Sequence, residues 1–480
     1  MIKRNKIIAG IIAASSLMFS CTKDFTEINT DPNRIDKISP GTLLNPIIYE
    51  VASFNMQRAD AITFDLMQVM LNFPSATGGI HRYEITENTG SSTWNTYYRW
   101  LKNIREMYDA SVAAQDPNYQ AIAMTLNAWV TSNLTDVFGD VPYSEALRGD
   151  EGVFYPKFDK QEEIYSKLLS DLDSANKLFV TNKAMVYGTE ILFANNVSKW
   201  KKFCNSLHMR LLLRLSNVPA IDAYTKLRTI VSDPVTYPIF TSNADAAVLN
   251  LTGITPLVSP WGRPVDFPTF RAAGEFFIDS LVAMNDPRLP KFVSQARSLD
   301  PGNPTIGYKG IPSGYTGSES QFKYQPSNFL QALVTAPMIV PILPYAEVEF
   351  IKAELEWKSG NDAAAQTAYQ KGVKAAIEQW GLTLPADYFL NPFAAYDGTL
   401  EQIMLQKYYA LFFVDYQQWS EYRRTGLPVL PVGPGMLNDG IMPSRLLYPI
   451  SVRISNPENY QAAVEAMGGD DINVKVWWDK

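Results

Sequence analysis

Apolar residues recur at intervals of three and four along most of the chain, which is the spacing of one face of an α-helix. The clearest stripe is largely aromatic and consists of Trp94, Tyr97, Tyr98, Leu101, Ile104 and Tyr108. Similar stripes predict further helices at 117–134, 161–179 and 200–215, and again from Tyr345 onward. The pattern therefore predicts a mainly α-helical fold.

One segment in the second helical region has the spacing of a tetratricopeptide repeat, in which small residues allow two helices to pack closely. The residues that carry it are Ala353, Gly360, Ala365 and Tyr369. A structural helix pair is favoured over a peptide-binding groove, because many helical hairpins share this spacing. A final helix is predicted from Leu400 to Arg424, ending at a glycine that is followed two residues later by a proline.

Residues 233–341 interrupt the helical pattern with many prolines and glycines. We interpret this stretch as a loop-rich insert in the helical scaffold, with one helix at Phe270–Met284. Long ordered loops on a rigid scaffold are common places for binding residues.

The N-terminus reads as an export signal. Lys3, Arg4 and Lys6 precede thirteen uncharged residues, and Ser20-Cys21 follows. This order predicts a signal peptide at 1–20, whose apolar run is too short to span a bilayer. Ser20-Cys21 resembles a bacterial lipobox, which predicts lipidation at Cys21; an ordinary secretory peptide is the alternative. We expect a tether at 21–45 and a single domain at 46–480.

Composition and charge narrow the class of protein. With 46% hydrophobic and 19% charged residues, the chain is neither disordered nor a polytopic membrane protein. A formal net charge of −7 argues against binding to nucleic acid, which needs a basic surface. Two cysteines and two histidines leave little material for a disulfide-built fold or a metal centre. We expect no cofactor and no metal.

The chain lacks the common nucleotide-binding, hydrolase and metalloprotease motifs, and we predict no catalytic residue. A cluster of acids, Glu347, Glu349, Glu354 and Glu356, could supply paired carboxylates. On a helix their spacing distributes them around the cylinder, so a solvated face is the favoured interpretation. Other carboxylate pairs that the fold could bring together for glycoside hydrolysis stay open.

Three loops combine aromatic rings with amide and charged side chains, as sugar binding requires for stacking and for hydrogen bonds to hydroxyls. They are residues 72–83, 259–267 and 314–324. The candidate ligand-binding residues in these loops are Asn72, His81, Tyr83, Trp261, Arg263, Tyr315 and Tyr324. The best candidate is Trp261, because a turn of prolines and glycine could hold its indole toward solvent. The alternative is that these rings only fix the loops to the scaffold.

Several sequence blocks, taken together, resemble SusD/RagB-type outer-membrane lipoproteins. The most specific block is Leu134-Thr-Asp-Val-Phe-Gly-Asp-Val-Pro-Tyr-Ser-Glu-Ala-Leu147. The other blocks are Lys199–Leu207, Asp286–Leu289, Glu347–Glu354, Gln406–Phe412, Arg423–Gly426, Arg445–Pro449 and Asn456–Tyr460. They follow one another across nearly the whole chain after the export signal.

The resemblance implies a tetratricopeptide-like scaffold, a lipid anchor on the surface of the outer membrane, and a SusC-like TonB-dependent transporter as partner. It implies capture of nutrients, often oligosaccharides, without catalysis. It also implies that Asp140, Pro142, Tyr143 and Arg424 belong to the scaffold. Two alternatives remain, a helical glycoside hydrolase and a peptide-binding helical-repeat adaptor.

Overall fold

The computed structural model describes residues 39–74 and 77–479. The predicted signal peptide, the lipidation site at Cys21 and most of the predicted tether lie outside these residues. The first described helix, α1, begins at Pro40. The folded part of the chain therefore starts before the boundary predicted at residue 46.

Helices dominate the described chain, which confirms the predicted fold class. In chain order they are α1 Pro40–Arg58, α2 Phe64–Leu66, α3 Ser91–Ala113, α4 Pro117–Phe138, α5 Gln161–Leu178, α6 Val197–Arg214, α7 Ala223–Ser232, α8 Glu275–Ala283, α9 Leu289–Phe292, α10 Tyr345–Lys358, α11 Asp362–Glu378, α12 Leu400–Ala410, α13 Gln417–Thr425, α14 Ile450–Ser455 and α15 Pro457–Met467. The strands are β1 Met70–Asn72, β2 Ala247–Leu251, β3 Arg271–Ala273, β4 Arg297–Ser298, β5 Tyr324–Gln325 and β6 Met338–Leu343.

Successive helices pack side by side in the first half of the domain, α3 on α4, α4 on α5, and α5 on α6. The predicted stripe on α3 faces inward, because Tyr97, Leu101 and Ile104 are all buried. Asp116 caps the start of α4 by accepting a hydrogen bond from the Asn118 amide. Side-chain caps satisfy backbone donors that a helix leaves unpaired at its first turn.

Helices α10 and α11 form the predicted tetratricopeptide-like pair. Gly360 takes the left-handed conformation, with φ +74°, just after α10, where a side chain would be strained. A Cβ at Gly372 of α11 would lie only 3.0 Å from the Phe350 ring of α10. A small residue is thus required where the two helices approach each other.

Two predicted helices differ from the observed ones. The helix predicted at Leu400–Arg424 is split into α12 and α13, because Phe413 and Asp415 have positive φ values of 66° and 31°. The Asp415 carboxylate accepts the amide hydrogen of the next residue at 2.6 Å and so stabilises the break. The helix predicted at Phe270–Met284 is wrong at its start, where the chain forms β3 before α8.

The interpretation of the acidic cluster on α10 as a solvated face is also wrong. Glu347, Glu349 and Glu354 are each no more than 2% exposed. Arg210 pairs with Glu347, and Arg424 makes a two-pronged contact with Glu354 at 2.6 and 2.7 Å. The partners of Glu347 and Glu354 come from distant helices, so charge pairing allows these carboxylates to lie in the interior.

The predicted loop-rich insert contains short antiparallel strands, and one of them connects it to the N-terminal half. Strand β2 pairs with β6 and β4 pairs with β5, both within or at the edge of the insert. Strand β3 pairs instead with β1, which precedes β3 by about 200 residues along the chain. This pairing places loops that are far apart in sequence side by side.

Candidate functional site

The three loops predicted to bind ligand meet through the β1–β3 pair and the contacts around it, a region that we call the loop face. In the β1–β3 register Asn72 lies opposite Arg271. The next amide, from Phe73, donates a hydrogen bond to the Phe270 carbonyl at 2.9 Å. The first loop is therefore joined by backbone hydrogen bonds to β3 and to Phe270, just beyond the second loop.

Arg82 joins the first loop to the third loop and to a fourth segment, residues 427–441. Its guanidinium donates to the carbonyl of Tyr315 at 2.9 Å and to that of Gly435 at 2.8 Å. The Arg82 carbonyl in turn accepts from the amide of Leu437 at 2.9 Å. Because Arg82 is only 5% exposed, these charge-assisted bonds are strong fixed points for the loops.

The loop that carries Trp261 is attached to α1 and to the insert. Gln57 of α1 donates to the Pro260 carbonyl at 2.9 Å, and the Ser259 hydroxyl donates to the Val334 carbonyl at 2.6 Å. The Trp261 ring packs edge-to-face on Phe267 and Phe413, with centroids 5.7 and 6.2 Å apart. Trp261 is thus partly buried, with its indole anchored on one side.

The predicted ligand-binding residues differ in accessibility. Arg263 is exposed and its guanidinium lies 3.6 Å from Asp266. Asn72 and Tyr324 are partly buried, like Trp261, and retain accessible surface. Ligand contact by these four residues stays a prediction.

The other three predicted residues, His81, Tyr83 and Tyr315, are buried, with exposures of 2%, 2% and 7%. Tyr315 packs on the Phe322 ring at 4.9 Å. Burial lowers the pKa of His81 to about 4, with Arg82 and Arg271 adding to the effect, so the imidazole is neutral at pH 7. These rings act in this structure as loop anchors, and no stacking surface is offered by Tyr83.

Phe270 is a residue of the loop face that the sequence analysis missed. Its side chain is 77% exposed, and its φ of +57° lies in the left-handed region. A bulky residue in that conformation is an outlier, and such strain is concentrated at functional sites. The sequence predicted Phe270 as the start of a helix, whereas in the structure it lies just before β3.

A second missed feature is a pair of acids beside Arg271, Asp60 and Asp65. The Arg271 guanidinium lies 3.7 Å from an Asp60 oxygen and 3.0 Å from an Asp65 oxygen. The acids are five residues apart, and Asp60 lies within a π-helical turn, Ala59–Thr63. Such a turn shifts the register of a helix and recurs at functional sites, and it explains why regular helical spacing gave no signal.

Burial dominates the protonation of both acids. It raises the pKa of Asp65 to about 7, although the Arg271 charge acts in the opposite direction. Burial also raises the pKa of Asp60, against the charges of Arg271 and Arg58 and a hydrogen bond from Trp261. Trp261, the best candidate of the loop face, therefore lies near the Asp60 carboxylate.

This surface can hold a ligand by stacking on aromatic rings and by hydrogen bonds to amide and charged groups. In the described residues, no three His, Cys, Asp or Glu side chains are grouped closely enough to hold a metal ion. Across 39–74 and 77–479, no helix has both the length and the apolar character needed to cross a membrane.

The structure defines a mainly α-helical scaffold of tetratricopeptide-like helix pairs with a loop-rich insert. Residues 32–449 match the SusD-like family described as "starch-binding associating with outer membrane". The chain therefore belongs to the SusD-like family, which confirms the resemblance of its sequence blocks. No curated protein matches the sequence at a significant level.

Solved structures show the same fold at low sequence identity. A SusD homologue from Bacteroides fragilis is 23% identical with a TM-score of 0.78, covering 92% of this chain and 100% of its own. A SusD homologue from Bacteroides uniformis is 24% identical with a TM-score of 0.77, covering 93% and 100%. A chitin-binding protein is 24% identical with a TM-score of 0.77, covering 92% and 100%.

Proposed function

We propose that this protein is a lipoprotein of the outer-membrane surface that captures oligosaccharides and delivers them to a SusC-like TonB-dependent transporter. The loop face binds the ligand, and the protein alters no covalent bond in it. Membership of a family described as starch-binding and associated with the outer membrane supports this proposal. Attachment to the membrane is through acyl chains on Cys21.

The observation that carries the binding proposal is a pair of accessible rings on the loop face, Trp261 in the loop 259–267 and Phe270 just before β3. Trp261 is anchored by neighbouring rings yet retains exposed surface, and Phe270 is held out to solvent. Arg263 and Asn72 provide hydrogen-bonding groups in the same region. Rigid rings flanked by polar groups suit sugars, which present both C–H faces and hydroxyls.

We expect Trp261→Ala to weaken oligosaccharide binding by about tenfold, the equivalent of roughly 1.4 kcal/mol for one stacking ring. Phe270→Ala should weaken binding by a similar factor. Because Phe270 is exposed, its substitution should leave the melting temperature nearly unchanged. Isothermal titration calorimetry with maltoheptaose and chitohexaose would measure the effect, after a glycan array has identified the class that binds.

The matched control is Phe393→Ala, which removes a ring that is 62% exposed outside the loop face and should leave affinity unchanged. If Trp261→Ala lowers the melting temperature sharply while both loop variants bind normally, the rings only fix the loops. The proposed binding surface would then be wrong.

The two alternatives make different predictions with the same purified protein. A helical glycoside hydrolase would release shorter products from a bound glycan, which mass spectrometry would detect after long incubation. A peptide-binding adaptor would prefer extended peptides to glycans in a binding array. Our proposal requires glycan binding with no product formed.

We expect Cys21→Ser to release the protein from the membrane fraction, because several acyl chains are needed for stable anchoring. Cell fractionation and immunoblotting would compare the variant with the wild type and with a Ser20→Ala control. Co-purification of the wild type with a TonB-dependent barrel would test the proposed partner. A Cys21→Ser protein that stays fully membrane-bound without that barrel would contradict the anchor.

A further inference from the structure

Asp60 is an acid beside the loop face whose carboxylate the protein does not fully hydrogen-bond. Its Oδ1 atom is buried and has no hydrogen-bond partner among the described residues, whereas Oδ2 is not enclosed in this way. The side chain keeps 16% of its surface exposed. Buried polar atoms are normally paired, so an unpaired one calls for an explanation. Oδ2 is the oxygen that an incoming ligand can reach.

The two cations nearest to Asp60 are engaged with other groups. The Arg271 guanidinium donates to the Asp65 carboxylate at 3.0 Å, but it lies 3.7 Å from the nearer oxygen of Asp60. The Arg58 guanidinium donates to the Ser92 hydroxyl at 3.2 Å. Neither cation therefore gives the Asp60 carboxylate a hydrogen bond of normal length.

The local backbone keeps Asp60 at the surface. The π-helical turn Ala59–Thr63 follows α1, and its residues Ala59, Ile62 and Thr63 are buried. Asp60 is only partly buried. A π-helical turn holds one residue more than a regular turn and so displaces the side chains around it. The buried residues anchor the turn in the core, and Asp60 is left beside β3.

Asp60 adjoins the residues that we propose to contact a ligand. Trp261 lies near its carboxylate. Arg271, which approaches that carboxylate from β3, directly follows the exposed Phe270. In the β1–β3 register Arg271 lies opposite Asn72. The acid is thus next to two accessible rings and one amide of the loop face.

The position of Asp60 costs the protein stability. A carboxylate that loses water without gaining hydrogen bonds is unfavourable. Burial raises the pKa of Asp60, although the charges of Arg271 and Arg58 act in the opposite direction. The surroundings therefore compensate the negative charge only in part. A local arrangement that lowers stability without an evident gain is expected where a residue serves function.

We propose that Asp60 contacts the ligand of the loop face: its Oδ2 atom accepts a hydrogen bond from a hydroxyl group of the sugar ring that stacks on Trp261. Hydrogen bonds to an ionised oxygen are stronger than those between neutral groups. Asp60 thereby selects a saccharide with free hydroxyl groups over its methyl ether, which has no proton to donate. This inference rests on the proposed oligosaccharide-binding function.

The first test is Asp60→Asn, which removes the charge and keeps the shape of the side chain. We expect it to weaken the binding of maltoheptaose or chitohexaose, whichever the wild type binds, by about tenfold or more, as for a hydrogen bond to a charged group. Isothermal titration calorimetry would measure the affinity. The melting temperature should not fall, because the carboxylate has no close hydrogen bond to lose. A residue that only supports the loops would lower it.

Two further variants show whether the effect comes from contact with the ligand. Glu50→Gln removes an exposed acid on α1, ten residues before Asp60, and should leave affinity unchanged. Asp65→Asn removes the acid that binds Arg271 more closely but is 6% exposed, and it should weaken binding far less than Asp60→Asn. Equal losses for Asp60→Asn and Asp65→Asn would mean that both acids act through Arg271, which would overturn the proposal.

The ligand provides the second test. The per-O-methylated form of the probe that binds keeps its ring faces but has no hydroxyl hydrogen. Methylation should weaken binding to the wild type about tenfold more than binding to Asp60→Asn, because the variant has already lost the charged acceptor. An equal effect of methylation on both proteins would overturn the role of Asp60 and leave oligosaccharide binding intact. A wild type that binds no glycan on an array would instead contradict the proposed function, and this role with it.

Discussion

Glu421→Gln should destabilise the protein by about 3–5 kcal/mol, although glutamate and glutamine side chains have nearly the same shape. Glu421 is 5% exposed, and its carboxylate contacts Arg424 at 2.7 Å, Lys407 at 2.8 Å and Arg214 at 3.7 Å. Removal of this one negative charge leaves three buried cations undercompensated. Urea unfolding followed by circular dichroism would measure the loss, which is a large part of a typical folding free energy.

The lowered pKa of Glu421 shows that its three neighbouring cations outweigh the effect of burial. Burial alone would raise its pKa, but Arg424, Lys407 and Arg214 together hold the pKa well below its usual range. A lowered pKa contributes stability that is present above the unfolded-state value and is lost only as the pH falls toward the folded-state value. The difference between wild type and Glu421→Gln should therefore be constant from pH 5 to pH 8.

The control for this prediction is an ion pair of similar length on the surface, Arg453 with Glu87. Its atoms are 3.2 Å apart, and its side chains are about half exposed, at 50% and 47%. Glu87→Gln should cost less than about 1 kcal/mol, because solvent screens exposed pairs. If both substitutions have the same small effect, the buried network contributes no more than a surface pair, and our account of it is wrong.

The sequence predicted where helices form better than it predicted where they end and which charged side chains pair between them. Apolar periodicity is a local signal, so the stripe from Trp94 to Tyr108 correctly identified α3. The break between α12 and α13 depends on hydrogen bonds to the Asp415 carboxylate from the Tyr416 amide and from Asn133, nearly 300 residues away. The burial of Glu354 likewise depends on Arg424, which no local pattern connects to it.

The candidate site was predicted in part for the same reason. Loop composition identified Trp261, Arg263 and Asn72, which retain accessible surface, but it could not distinguish them from the buried rings of Tyr83 and Tyr315. Phe270 and the acid pair were missed because strand pairing and a π-helical turn create those features. Residue types thus indicated the chemistry of the site, whereas long-range contacts decided which residues present it.

Asp65 should make the stability of the protein depend on pH near neutrality. Burial raises its pKa from the ordinary value of 3.8 to about 7, even though the Arg271 guanidinium lies 3.0 Å away. A raised pKa means that the folded state favours the protonated form. The contribution to stability is therefore complete below about pH 4 and is lost as the pH rises through about 7.

We expect the unfolding free energy of wild type relative to Asp65→Asn to fall by about 4 kcal/mol between pH 4 and pH 8, since each unit of pKa corresponds to 1.36 kcal/mol. Urea unfolding of both proteins across this range would measure it. The comparison is needed because His81 and His208, whose pKa values burial lowers to about 4, change stability in the opposite direction in both proteins. A difference that does not vary with pH would show that Asp65 stays ionised beside Arg271. The ion pair with Arg271, and not burial, would then set the pKa of Asp65.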